Sequence, residues 1–187
     1  DVAGSKVMPG TLEIQPFSTE KDLSEGTVVL FSYPLDFTFV CPTELNEMSA
    51  NMDTFKKMGV SVFGVSTDSA FSHQAWMRTP VKQGGIEGLQ FPLVADTTRD
   101  ITHAMGALMP TGFATRATYV LHNGNIKHAS FNEPGVGRSA ADLIRTIEAI
   151  QFNAEHGQVC PASFKKGSAA IKPTREGLLE FLNKDSV

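Results

Sequence analysis

Two continuous apolar runs limit what this chain can fold into. Residues 27–31 and 60–65 are rich in β-branched side chains, which is typical of strands buried on both faces of a sheet. Between the runs, apolar residues recur at helical spacing from Leu45 to Phe55, and Gly59 ends that pattern. A strand–helix–strand order of this kind predicts parallel strands joined by a crossover helix.

The rest of the chain extends this pattern. Asn123-Gly124 lies between two β-like runs and predicts a hairpin. Residues 1–26 carry weak signals, and the segment after Gly157 is polar and irregular. Further helices are predicted at 70–78, 99–105, 139–152 and 175–182, and strands at 91–94, 117–121 and 126–131. We therefore predict an α/β fold with a mixed central sheet flanked by helices, one domain over residues 1–157 and a C-terminal arm over 158–187.

Composition excludes several classes of function. The chain has 187 residues and a formal net charge of -4, and it shows no basic stripe of the kind that nucleic-acid binders carry. We see no membrane-spanning stretch and no signal peptide, and two cysteines make no disulfide scaffold. We expect a cytoplasmic protein that binds neither nucleic acid nor membrane. The cysteines and the five histidines show no metal-ligand spacing, so no metal or cofactor is expected, and we expect most histidines to be surface or helix-face residues.

Cys41 lies where the first buried strand gives way to the crossover helix. Pro42 suits the first turn of a helix, and Glu44 suits the positive end of its dipole. Unpaired backbone N–H groups at that end favour an anion, so the thiolate of Cys41 would be stabilised and reactive. A buried, inert thiol is the alternative, and position alone leaves both open.

Other candidate residues have two explanations as well. Thr38, three residues before Cys41, can face the sulfur or bond the local backbone. Arg116 and Arg138 each precede a predicted element, where they are either solvated charges or groups that stabilise an anion at the sheet edge. Cys160, in the polar arm, is either an inconsequential surface thiol or one that attacks an oxidised Cys41.

At these positions the sequence resembles the typical two-cysteine peroxiredoxins, in the alkyl hydroperoxide reductase C branch. The similarity covers residues 27–182 and keeps the family's order. It rests on these stretches: Pro34-Leu35-Asp36-Phe37-Thr38-Phe39-Val40-Cys41, Val65-Ser66-Thr67-Asp68-Ser69, His73-Gln74-Ala75-Trp76, Arg116-Ala117-Thr118-Tyr119-Val120, Gly137-Arg138-Ser139 and Gln158-Val159-Cys160-Pro161.

The resemblance implies a thioredoxin-like fold and reduction of peroxides by thiol chemistry. Cys41 would attack the peroxide and become a sulfenic acid, and Cys160 of a second subunit would then condense with it. Thr38 would donate a hydrogen bond to the peroxide and the sulfur, and Arg116 would stabilise the thiolate and the leaving oxygen. Pro34 would shield the sulfenate from water. Glu44 would orient Arg116, and Arg138 would belong to the same network.

The resemblance also implies partners. The active unit would be a homodimer paired through the strand at 126–131, and five dimers would form a ring with contacts around Phe37, Asp68, Ser69 and Trp76. A protein dithiol, either thioredoxin or a dedicated flavoprotein reductase, would reduce the disulfide. The glycine loop Gly84-Gly85-Ile86-Glu87-Gly88 and the missing C-terminal tyrosine–phenylalanine pair depart from overoxidation-sensitive members, so we expect resistance to peroxide.

Two other functions stay open from the sequence. One is an oligomeric redox-regulated chaperone or a peroxide-sensing relay on the same scaffold. The other is a hydrolase that pairs Cys41 with one of the histidines, because such pairing is spatial and the sequence does not exclude it.

Overall fold

A computed structural model describes residues 1–184, and in this part of the chain seven strands form one mixed sheet. The strands are β1 (Ala3–Val7), β2 (Ile14–Ser18), β3 (Thr27–Ser32), β4 (Val60–Ser66), β5 (Leu93–Ala95), β6 (Arg116–His122) and β7 (Asn125–Asn132). Their order in the sheet is β2-β1-β5-β4-β3-β6-β7. Strands β3, β4 and β5 run parallel to one another, while β1, β2, β6 and β7 pair antiparallel. The predicted mixed α/β sheet is confirmed, and β3, which leads to Cys41, lies inside it.

Helices occupy most of the predicted positions. They are α1 (Thr19–Asp22), α2 (Cys41–Ala50), α3 (Met52–Lys57), α4 (Ala70–Arg78), α5 (Asp100–Ala104), α6 (Ala140–His156) and α7 (Arg175–Lys184). The chain forms two compact units, one of residues 1–139 with the sheet and α1–α5, the other from residue 140 onward with α6 and α7. The functional boundary that we place after residue 157 stays a prediction.

The core of the first unit explains why the apolar runs became central strands. All six residues of β3 are buried, as expected for a strand packed on both faces. Val28 and Leu30 belong to a cluster with Phe63 and Val65 of β4, while Phe31 stacks edge-on against another ring, with centroids 5.6 Å apart. Each such side chain contributes about 1.5–3 kcal/mol through burial, so the strand that ends next to the site is firmly held.

The helix that we predicted as one run is two helices. Asn51 separates α2 from α3. Its side-chain amide donates to the carbonyl of Glu47 at 2.9 Å, and its backbone N–H donates to the carbonyl of Met48. A side chain that takes the carbonyl an α-helix would use for its own ladder interrupts the helix. Helix α2 also begins one residue earlier than the proline predicts, so Cys41 is its first residue and Pro42 its second.

Residues 1–26, which gave weak signals, form an antiparallel hairpin and one helical turn. Strand β1 pairs with β5, and β2 lies at the edge of the sheet, where Pro16 is tolerated because no ladder bond is needed on its outer side. The short β5 begins at Leu93, two residues later than predicted.

Candidate active site

Cys41 is a free thiol that is completely buried at the start of α2. The loop of residues 33–40 leads from β3 to it, and the carbonyl of Val40 accepts the backbone N–H groups of Thr43 (3.0 Å) and Glu44 (3.2 Å). The sulfur therefore lies at the positive end of the helix dipole, as the sequence predicts. Two residues earlier, the Phe39 side chain is 91% exposed, so the loop covers the thiol while placing an aromatic ring in water.

Two side chains place hydrogen-bond donors within reach of the sulfur. Thr38 Oγ1 lies 3.0 Å from Cys41 Sγ, and Arg116 Nη1 lies 3.4 Å from it. The same Thr38 oxygen is 2.8 Å from the carbonyl of Leu35. A hydroxyl has one proton, so it donates either to that carbonyl or to the sulfur, and a thiolate attracts it to the sulfur.

Arg116 is held by contacts on both sides of its guanidinium. The residue is 2% exposed; its Nε donates to the carbonyl of Pro134 at 2.9 Å, and its Nη1 lies 2.5 Å from Glu44 Oε2. Arg116 is the first residue of β6, and β6 pairs with β3. Its position relative to Cys41 is therefore set by the sheet and by two polar partners.

Glu44 is shared by two arginines. Arg138 donates to its carboxylate from the backbone N–H (2.9 Å), from Nε (2.8 Å) and from Nη2 (3.0 Å), and also to the carbonyl of Ala117 at 3.0 Å. The Arg138 guanidinium lies 5.0 Å from the centre of the Phe31 ring. Two cations and one carboxylate leave one positive charge in excess, which a thiolate at Cys41 neutralises.

The last residue of the sequence-predicted cluster is Pro34, which lies partly buried in the loop after β3. The structure thus brings Thr38, Glu44, Arg116 and Arg138 together around Cys41. The histidine that a hydrolase needs is not among the hydrogen-bond partners of the sulfur, which among the described residues are a threonine and an arginine.

Cys160 belongs to the second unit and has a different environment. Its sulfur lies 3.5 Å from the carbonyl of Ala149 in α6, and partial burial raises the pKa of its thiol above the ordinary value of 9.0. Val159 next to it exchanges two backbone hydrogen bonds with Ile171, at 2.9 and 3.0 Å. Both cysteines are free.

A buried polar network beneath the loop was missed by sequence reasoning. The Asp36 carboxylate receives hydrogen bonds from Tyr33 Oη, Ser72 Oγ and His73 Nδ1, each at 2.8 Å. The other ring nitrogen of His73 lies 3.2 Å from the carbonyl of Val94. His73 lies on helix α4 and is fully buried. The available signal was the Tyr33–Asp36 spacing, in which two polar residues flank an otherwise apolar loop.

This network affects acid–base behaviour. Burial first, and then the Asp36 carboxylate, raise the pKa of Tyr33 well above its usual value. Asp68 accepts the backbone N–H of Asp36 at 3.0 Å, and burial followed by repulsion from Asp36 raises the pKa of its carboxyl. The loop before Cys41 is thus fastened to α4 and to the segment that follows β4 by buried and partly buried polar groups.

Over residues 1–184 we find neither a cluster of three or more metal-ligating side chains nor a helix long and apolar enough to span a membrane.

Comparison with known proteins identifies the family. The AhpC/TSA family model matches residues 6–129, and a model described as the C-terminal domain of 1-Cys peroxiredoxin matches residues 149–184. The chain belongs to the AhpC/TSA family of peroxiredoxins. It is a thiol-dependent peroxidase, as predicted, and the comparisons favour this over a chaperone or relay.

Individual peroxiredoxins match along nearly the whole chain. Peroxiredoxin-2 of Rattus norvegicus is 41% identical over 186 residues, which cover 98% of this chain and 92% of the relative. Alkyl hydroperoxide reductase C of Helicobacter pylori is 39% identical, with 91% and 87% covered. The reduced 2-Cys peroxiredoxin of Plasmodium vivax superposes with a TM-score of 0.94 at 33% identity, covering 97% of this chain and 94% of that one. The predicted thioredoxin-like peroxiredoxin fold is confirmed.

Proposed function

We propose that Cys41 is the thiol that peroxide oxidises. The observation that carries this proposal is the pair of donors on one buried sulfur, Thr38 Oγ1 at 3.0 Å and Arg116 Nη1 at 3.4 Å. The excess positive charge of the arginine–glutamate cluster favours a thiolate, which is the nucleophilic form of cysteine. The peroxide is then attacked inside a site that already holds groups able to bind its oxygens.

The first half-reaction is a displacement on oxygen. The Cys41 thiolate attacks one peroxide oxygen, the S–O bond forms and the O–O bond breaks. The electron pair leaves on the second oxygen, which takes a proton and departs as water or an alcohol. Thr38 and Arg116 turn their donors from sulfur to the two oxygens, so charge is stabilised where it develops.

Glu44 and Arg138 act as positioning residues. Glu44 binds the guanidinium of Arg116, and Arg138 binds the other side of the same carboxylate, so both residues fix Arg116 without touching the sulfur. Pro34, in the loop that covers Cys41, shields the sulfenic acid from water.

The second half-reaction uses Cys160 of another subunit. A fully buried Cys41 offers no approach to a second sulfur, so the first turn of α2 must unwind before the thiols meet. The Cys160 thiol attacks the sulfenic sulfur, a disulfide forms and water leaves. A protein dithiol, thioredoxin or a flavoprotein reductase, then reduces the disulfide.

The assembly that this chemistry requires is at least a homodimer. Strand β7 lies at the edge of the sheet, where pairing with a second copy of β7 extends the ladder across a two-fold axis. A ring of five dimers and a cytoplasmic location complete the proposal.

Mass spectrometry of peroxide-treated protein, run with non-reducing electrophoresis, tests these roles. We expect a dimer linked by a Cys41–Cys160 disulfide. Cys160→Ser should still form one sulfenic acid at Cys41, trapped by dimedone, whereas Cys41→Ser should consume no peroxide. Peroxidase turnover that persists in Cys41→Ser would contradict the proposal.

A further inference from the structure

The segment around Cys160 carries a concentration of positive charge. Residues 158–175 contain four cations and no acidic residue, and we call these cations the basic cluster: Lys165, Lys166, Lys172 and Arg175. The net charge of the chain is -4, so a segment at +4 leaves -8 for all other residues. Cys160 therefore lies in a segment whose charge opposes that of the rest of the protein.

Backbone hydrogen bonds fold part of the basic cluster back towards Cys160. Val159 and Ile171 form an antiparallel bridge, in which each N–H donates to the carbonyl of the other residue, at 2.9 and 3.0 Å. Cys160 directly follows one member of this bridge, and Lys172 directly follows the other. A cation that is distant from Cys160 in the sequence is thus brought into its neighbourhood by the fold.

The first two lysines of the cluster stand on an anchored loop. Phe164, which directly precedes them, is 2% exposed, and its ring centroid lies 5.1 Å from that of Phe152 in α6. The backbone N–H of Phe164 donates to the carbonyl of Pro161 at 3.1 Å, and its carbonyl accepts Nη1 of Arg145 at 3.4 Å. The loop that presents the two lysines is therefore fastened to the long helix of the second unit.

The other two cations stand where α7 begins. The N–H of Thr174 donates to the carbonyl of Lys172 at 2.7 Å, and the Thr174 hydroxyl accepts the N–H of Gly177 at 3.0 Å. A Cβ at Gly177 would lie 2.7 Å from the Cβ of Lys172, so the first turn of α7 packs closely on that residue. Arg175 is the first residue of the helix. The backbone thus holds both cations in defined positions.

The charge of the basic cluster is available to a molecule that approaches from solvent. All four side chains are exposed, and the ion pairs found within residues 1–184 include none of them. Burial raises the pKa of the Cys160 thiol, so the cluster does not serve to stabilise its thiolate. Like charges on one surface repel one another, and an acidic surface that docks on them relieves the repulsion.

We propose that the basic cluster is the docking surface for the protein dithiol that reduces the disulfide of Cys160, and that it selects a dithiol protein with acidic residues around its reactive cysteines. This inference deepens the proposed function and rests on it, because it assumes that Cys160 forms the disulfide that is reduced. The opposite charges bring the two proteins together in the orientation that places the attacking thiolate beside Cys160.

The reduction that follows docking is a thiol–disulfide exchange in two steps. One thiolate of the partner attacks the Cys160 sulfur, the S–S bond to Cys41 breaks, and Cys41 leaves as a thiolate. The second thiol of the partner then attacks the partner's own sulfur in the mixed disulfide, so that Cys160 leaves and the partner closes its disulfide. Two electrons pass from the dithiol to the disulfide, and the basic cluster takes part only by attracting and orienting the partner.

The test uses two synthetic dithiol peptides as probes. Both contain the same Cys-Gly-Pro-Cys core, which is flanked by glutamates in one peptide and by lysines in the other. Each peptide reduces two forms of the full-length protein: the peroxide-oxidised wild type, and Cys41→Ser with Cys160 joined to thionitrobenzoate in a mixed disulfide. Rates are divided by those of the same peptide with free dithiobis(nitrobenzoate), which removes differences in the intrinsic reactivity of the peptides.

A double charge reversal, Lys165→Glu with Lys166→Glu, is introduced into both forms. The matched control is Lys56→Glu with Lys57→Glu, because these residues are also an adjacent, exposed pair of lysines, at the end of α3 in the first unit. The two double variants change the net charge of the protein equally, so a difference between them reports the position of the charge. Dithiothreitol, which carries no charge, should reduce every variant at the same rate.

We expect the acidic peptide to reduce Cys160 disulfides roughly 10-fold faster than the basic peptide at low ionic strength, and the difference to shrink as salt is added. The reversal at Lys165 and Lys166 should abolish or invert this preference, whereas the control should leave most of it. A preference that is absent, is insensitive to salt, or falls equally in both double variants overturns the inference. A wild type that forms no Cys41–Cys160 disulfide overturns the proposed function instead, while the mixed disulfide of Cys160 still decides the docking.

Discussion

The surroundings of the two cysteines differ in almost every physical respect. Cys41 is fully buried and faces a hydroxyl and a guanidinium, whereas Cys160 is partly exposed and faces a backbone carbonyl. A carbonyl accepts hydrogen bonds, so it suits a protonated thiol, while a cluster with excess positive charge suits a thiolate. One sulfur is thus confined beside hydrogen-bond donors, and the other lies beside an acceptor and nearer to solvent.

The largest effect that tests this difference comes from removing each sulfur. Cys41→Ser should abolish peroxide consumption, because serine is not a comparable nucleophile. Cys160→Ser should leave the first oxidation of Cys41 at its normal rate and stop only recycling by a protein dithiol. Stopped-flow measurement of single and multiple turnovers separates these results; a slow first oxidation in Cys160→Ser would mean that the two environments are not independent.

The next effect concerns the guanidinium beside Cys41. Arg116→Met should lower the second-order rate constant for peroxide by roughly 10²–10³-fold, since one aimed donor is lost where charge develops. Arg145→Met is the control, because Arg145 donates to the carbonyl of Phe164 in the second unit. If both variants react equally with peroxide, the charge cluster does not distinguish the two thiols.

The hydroxyl of Thr38 should have a smaller effect. Thr38→Val removes the donor at similar volume and should reduce the same rate constant by roughly 10- to 10²-fold, as for a hydrogen bond to a charged group. Thr38→Ser should retain most of the activity. A larger loss in Thr38→Ser than in Thr38→Val would show that the threonine methyl, and not its hydroxyl proton, is what the site requires.

The smallest effect is the protonation of Cys160. Because burial raises the pKa of this thiol, its alkylation by iodoacetamide should reach half-maximal rate above the ordinary value of 9.0. In a Cys41→Ser background only Cys160 reacts, and the same protein unfolded in urea supplies the reference. If the pH of half-maximal alkylation in the folded protein is at or below that of the unfolded chain, the environments of the two sulfurs do not differ in the way described.

Local chemistry predicted much of the sheet and the start of the site. Helix α4 has the predicted bounds, because Ser69 caps its first turn and Thr79-Pro80 ends it. The position of Cys41 at a helix start also follows from its neighbours in the sequence.

What the sequence left open depends on contacts between distant residues. The break at Asn51 and the hairpin of residues 1–26 depend on single side-chain bonds and on pairing with β5, which no local pattern records. His73 lies on an unremarkable helix face until Asp36, 37 residues earlier, is folded against it. The ion pairs of Glu44 likewise join β6 and the segment after β7 to α2, and only the family resemblance indicated them.

The exposed ring of Phe39 affects the free energy of the loop that covers Cys41. A phenylalanine ring that is 91% exposed forgoes most of the burial energy available to it, about 1.5–3 kcal/mol. The loop therefore holds Cys41 in an arrangement that is not the most favourable one for its own aromatic ring. Any rearrangement or bound surface that covers this ring gains part of that burial free energy. The gain lowers the free-energy cost of opening the pocket.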